Sequence, residues 1–82
     1  MDVRVVFYGG LQRDVGAREQ LLTLPRDAST VREVADAIVA RHPTLGPQLA
    51  TVVFTVGDEI VAADHPVGDG DEVGLLPPVS GG

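Results

Sequence analysis

One helix, set between two groups of strand-forming segments, constrains this chain more than any other feature. Thr30-Val31-Arg32-Glu33 has the form of a capping box. In it, a threonine hydroxyl accepts one orphan N–H of the first turn and a glutamate reaches back to another. Val31, Val34, Ala35, Ile38 and Val39 then recur with helical spacing and make one apolar stripe, while Arg32, Glu33, Asp36 and Arg41 fall on the other side. Pro43 disfavours helical geometry at His42, so the helix ends there. A single apolar stripe without a basic opposite face predicts packing on a sheet, not binding to a membrane surface.

The flanking segments supply that sheet. Val3-Arg4-Val5-Val6-Phe7-Tyr8 is β-branched and aromatic, with Val3, Val5 and Phe7 on one face and Arg4, Val6 and Tyr8 on the other. Gly9-Gly10 breaks it. Leu11 to Gly16 reads as a helical turn stopped by the glycine, and a second strand spans about residues 18–24. After the helix, Leu45-Gly46-Pro47-Gln48-Leu49 reads as a connector. It leads to a third strand over 51–56, the turn Gly57-Asp58, a short fourth strand over 59–62, and a last strand from Glu72 to Leu76. Two strands, a helix and three more strands in 82 residues predict one α+β domain over residues 1–76: a mixed sheet of about five strands with the helix across one face, as in a β-grasp. The last strand would be central.

A domain this small has no room for a catalytic cleft of its own. The chain is 44% hydrophobic but only 4% aromatic, so the core falls to Val, Leu, Ile and Ala around Phe7 and Phe54. It has no cysteine, hence no disulfide, thiolate metal site or thiol nucleophile, and nothing in it resembles a signal peptide or membrane span; a cytoplasmic location is expected. Lysine is also absent. All six basic side chains are arginines within residues 1–41, where six acids balance them, so the net charge of −6 belongs to residues 42–82. Nucleic acid is excluded by the lack of clustered cations. The acidic half suits either a basic protein partner or simple solubility. His42 and His65 have no third ligand nearby, and Gly57-Asp58-Glu59 and Asp69-Gly70-Asp71-Glu72 lack the spacing of a calcium loop, so no metal is expected.

The chemistry is expected at the end of the chain. Pro77 and Pro78 cannot continue a β ladder, so the strand stops at Leu76 and residues 77–82 form a flexible tail. At roughly 3.3–3.6 Å per residue, Pro77 to Gly82 reaches on the order of 20 Å. Glycines at 81 and 82 pass where a β-carbon would not, and the one electrophile on offer is the α-carboxylate of Gly82, once a partner has activated it. Read alone, Gly81-Gly82 fits a loose chain end equally well.

The run Asp64-His65-Pro66-Val67-Gly68-Asp69-Gly70-Asp71-Glu72-Val73, continuing to Pro77-Pro78-Val79-Ser80-Gly81-Gly82, resembles the MoaD/ThiS sulfur-carrier family of ubiquitin-like β-grasp proteins. The opening Val5-Val6-Phe7-Tyr8, with Leu11 and Val15-Gly16, is a weaker match, and the tail looks more like the molybdopterin branch than the thiamine branch. Gly9 stands where the family often has alanine, Gly57 where many members have asparagine, and Leu75-Leu76 in place of a common aromatic pair.

The resemblance implies a carrier that is itself non-catalytic. A ubiquitin-activating-type adenylating enzyme (MoeB-like) uses Mg-ATP to adenylate Gly82, and a sulfurtransferase or persulfide donor converts it to a thiocarboxylate. The carrier then inserts Val79, Ser80 and Gly81 into the large subunit of molybdopterin synthase (MoaE-like), in a heterotetramer, and donates sulfur to a pterin precursor of the molybdenum cofactor. ATP and pterin bind on the partners; the carrier holds no cofactor stably. Tyr8, Ile60, Leu76, Pro77 and Pro78 are expected to form the docking patch, although scattered surface hydrophobics would look the same in sequence. The Leu75-Leu76 pattern also occurs in relatives that carry sulfur for cysteine synthesis or tRNA thiolation, so the alternatives are a carrier of the same family for cysteine, thiamine or tRNA thiolation, or a ubiquitin-like modifier.

Overall fold

Alternating side chains build the centre of the molecule. In the computed structural model, which describes residues 1–25 and 28–77, Val3, Val5 and Phe7 of strand β1 (Asp2–Phe7) are fully buried while Asp2 and Arg4 are exposed. The last strand, β7 (Glu72–Leu76), lies parallel to β1 with Val5 opposite Val73 and Phe7 opposite Leu75, so the buried positions of both strands share one face. β2 (Glu19–Thr23) pairs antiparallel with the other side of β1, β4 (Val53–Val56) antiparallel with β7, and β5 (Glu59–Val61) with β4. The sheet order is therefore β2-β1-β7-β4-β5, with the last strand in the middle as expected.

Helix α2 (Val31–Arg41) covers the inner face. Its first turn carries the anticipated box: Glu33 N–H donates to Oγ1 of Thr30 at 3.3 Å, and Thr30 N–H donates to Oε1 of Glu33 at 3.2 Å. Val31, Val34, Ala35 and Ile38 are buried against the sheet, and His42 caps the C-terminus. The ring of His42 meets Phe7 edge-on at 6.5 Å and its Nε2 lies 2.8 Å from Oε1 of Gln20, tying the helix end to β2. The turn after β1 is α1 (Gly10–Val15), closed by Gly16 at φ 82°, as its position predicted.

Two features depart from the expected layout. The connector after α2 is ordered as a 3₁₀ turn, Pro43–Leu45, running into a short helix α3 (Gly46–Leu49), each with proline in its first turn, and Leu45 is fully buried. Proline is compatible with a first turn because the N–H it lacks has no helical partner there. Secondly, β3 (Ala28–Thr30) and β6 (Pro66–Gly68) form a separate two-stranded antiparallel sheet in which Thr30 faces Pro66 and Ser29 faces Val67. Three residues are too few to display a period, and although proline is tolerated at a strand's first position, neither segment is recognisable as a strand in the sequence. The small sheet clamps the helix start: Val31 N–H donates to the carbonyl of His65 and Arg32 N–H to that of Ala63.

Candidate docking face and tail exit

The uncovered face of the sheet follows from the register. Val6, Gly74, Thr55 and Ile60 are successive partners across β1, β7, β4 and β5, with Glu19 opposite Val6 at the other edge. One step along, Leu76 faces Val53, with Tyr8 just beyond the end of β1; one step the other way lie Arg4, Glu72 and Leu21. Strands about 4.8 Å apart place Ile60 roughly 10 Å from Gly74. The predicted trio of Tyr8, Ile60 and Leu76 thus shares one face: Tyr8 is 41% and Ile60 77% exposed, and Leu76 is half-buried.

Gly74 shapes this face. A Cβ there would collide with Oγ1 of Thr55 and stand 3.1 Å from Cε2 of Tyr8 and 3.5 Å from Cδ1 of Leu76. The missing side chain lets the tyrosine ring lean over β7 from the β1 side and the Thr55 hydroxyl from β4, with Leu76 of the same strand folded alongside. Arg4 is held at one end of the face by Glu72 (3.5 Å) and Glu19 (3.9 Å), exposed pairs that contribute little stability.

Leu21, 65% exposed beside Arg4, also belongs to this face and was not among the expected docking residues. Its neighbour Leu22 is buried, and two adjacent leucines conceal which of them points inward.

The tail leaves beside Tyr8. Tyr8 N–H donates to the carbonyl of Leu75, holding the chain in the sheet up to its last residue. Gly9 follows at φ 59°, a backbone region that disfavours side chains, and a Cβ on it would lie 2.9 Å from Cγ of Pro77. Pro77 is therefore half-buried against the β1–α1 turn and does not stand clear of the domain. The expected docking residue Pro78 and the tail positions Val79, Ser80, Gly81 and Gly82 lie outside the described residues.

Among the described residues no three metal-ligating side chains converge, and no helix is long and apolar enough to cross a membrane. On the inner side of β4, a groove of about 460 Å³ is lined mainly by Val39, Leu49, Val52 and Phe54, with Arg32 and Asp36 as its charged members.

Comparison with known proteins agrees with this geometry. The model of the ThiS family matches residues 5–82. The molybdopterin synthase sulfur carrier subunit of Chlamydomonas reinhardtii is 33% identical over 84 residues, spanning the whole of both chains. SAMP1 of Haloferax volcanii superposes with a TM-score of 0.88 at 26% identity over the full length of both chains. A chain in the complex of subunits 1 and 2 of molybdopterin-converting factor from Helicobacter pylori does so at 0.69 and 26%, again over the whole of both chains.

Proposed function

Because the chain belongs to the ThiS family, we propose that it is a sulfur carrier whose terminal Gly82 is activated and then loaded with sulfur for molybdopterin synthesis. The observation that carries this reading is the exit of the tail from the central strand, directly beside an exposed apolar face. A partner that covers Tyr8, Leu76 and Ile60 simultaneously receives the tail.

The chemistry needs only the carboxylate of Gly82 from this chain. One of its oxygens attacks the α-phosphorus of Mg-ATP on a ubiquitin-activating-type enzyme, pyrophosphate leaves, and an acyl-adenylate remains. The terminal sulfur of a persulfide on a sulfurtransferase then forms the C–S bond as AMP departs, and a second thiol of the partner breaks the S–S bond of the resulting acyl disulfide by forming a new disulfide, so that the thiocarboxylate is released. Val79, Ser80 and Gly81 carry this group into the large synthase subunit, where it gives its sulfur to a pterin precursor. Catalytic residues, ATP and pterin belong to the partners. Two carriers on a large-subunit dimer make the heterotetramer, and the Helicobacter pylori complex supports a two-subunit arrangement of this kind.

Reconstitution tests the choice of acceptor. Thiocarboxylated carrier mixed with a large synthase subunit and the cyclic pterin precursor is expected to yield the dithiolene. Failure there, with sulfur transfer to a cysteine precursor, a thiamine precursor or tRNA, would assign another branch. Isopeptide adducts on lysines of other proteins would make the chain a modifier.

A further inference from the structure

We propose that Arg13 and Arg18 form a cationic rim at the root of the tail and that this rim docks on an acidic surface bordering the tail-receiving cleft of the adenylating partner. The inference rests on the sulfur-carrier reading and adds the chemistry of the contact.

The register separates the charges along β7. Around the start of that strand, Asp2 N–H donates to Oδ1 of Asp69 at 2.6 Å, Gly70 N–H to the carbonyl of Asp2, Arg4 N–H to that of Asp71 and Gly57 N–H to that of Glu72. Glu59 pairs with Val56 at the same end and Asp58 lies in the adjoining turn. Six carboxylates therefore gather there, and among the described residues the cations at that end are Arg4 and the α-ammonium of Met1.

The other end is different. Phe7 N–H donates to the carbonyl of Arg18, and α1, with Arg13 in its last turn, follows directly after β1. Gly9, Gln12, Arg13, Gly16, Ala17 and Arg18 line one shallow depression, and Arg18 and Gln12 also border Tyr8 and Val6 of the docking face. Since Gly9 abuts Pro77, the rim lies at the point where the tail departs. Both arginines are exposed, and neither is paired with a carboxylate among the described residues. Two acids lie nearby and keep their charge: Asp14 accepts from Nε2 of Gln48 at 2.9 Å, and Glu19 is 3.9 Å from Arg4.

Distance decides which charge a partner meets. Five strand residues separate the two ends by about 16 Å, whereas the screening length at physiological ionic strength is only about 8 Å. A protein approaching the tail therefore meets two exposed arginines beside Asp14 and Glu19, a locally balanced surface, and not the net −6, which alone would favour a basic partner. Opposite charge at a rim acts chiefly on the rate of encounter and on register.

The test compares the wild-type chain with Arg13→Glu/Arg18→Glu, and with Arg32→Glu on α2 as a control, in acyl-adenylate formation by the cognate adenylating enzyme. The double variant should lose roughly tenfold or more in kcat/KM for the carrier at low salt, with kcat nearly unchanged, and the gap should close as salt rises. The control should stay within about twofold at the same salt, being off the rim. Matching unfolding temperatures for all three proteins would show that folding is not the cause. Equal kcat/KM for the double variant and wild type, a loss that salt does not alter, or a loss confined to KM for ATP would overturn the proposal. A wild-type chain that is never adenylated would overturn the sulfur-carrier reading as well.

Discussion

Gly74 on β7 and Thr55 on β4 face one another on the docking surface, and the Thr55 hydroxyl occupies the space a β-carbon on residue 74 would need. The two positions are one packing unit. Gly74→Ala should cost about 1–3 kcal/mol through overpacking and should lift the ring of Tyr8. Thr55→Ala alone should cost no more than about 1 kcal/mol, and the double variant should recover most of the stability lost by Gly74→Ala. Denaturant unfolding measures the cycle. Tyr8 is the sole tyrosine and there is no tryptophan, so tyrosine fluorescence reports on the same face directly.

The helix start permits a contrast between two adjacent hydroxyls. Thr30→Ala removes the acceptor for Glu33 N–H and should destabilise by about 0.5–2 kcal/mol. The hydroxyl of Ser29 is buried and has no hydrogen-bond partner among the described residues, so Ser29→Ala should be neutral or stabilising by up to about 1 kcal/mol. Thermal unfolding of both variants should move in opposite directions or differ clearly in size.

Ile60 is the most exposed large apolar side chain among the described residues and makes little contribution to the core. Ile60→Asp should therefore leave the unfolding temperature nearly unchanged while weakening association with the large synthase subunit by about 1–3 kcal/mol, or roughly ten- to a hundredfold in Kd. Calorimetric titration would check it; unchanged affinity would remove Ile60 from the interface.

The core closes at Leu75, and Pro77 is the last described residue with contacts to the domain. Deleting Gly81-Gly82, or adding one residue after Gly82, should accordingly abolish acyl-adenylate formation while leaving thermal unfolding within about 0.5 kcal/mol of wild type. A large loss of stability in either variant would contradict the division into domain and tail.

Residues acting through a local rule were readable in the sequence. Val3, Val5 and Phe7 alternate around a charged Arg4, Thr30 and Glu33 close a box within one turn, and two prolines stop β7. Features that depend on pairing were not. The β3–β6 clamp consists of three-residue strands without a period, Leu45 is buried only because two short proline-started turns fold it inward, and Leu21 is masked by Leu22. The seat that Gly9 offers Pro77, and the collection of carboxylates at one end of β7, likewise need the parallel pairing of the first and last strands.

The central claim concerns one atom, a carboxylate oxygen of Gly82. Intact-mass and fragment-ion spectrometry of the chain, after incubation with its adenylating enzyme, Mg-ATP and a sulfur donor, tests it most directly. A mass gain equal to the replacement of one oxygen by sulfur, confined to the C-terminal fragment and dependent on ATP, is the predicted result. An unchanged C-terminus in a reaction that consumes ATP on a known carrier would contradict it.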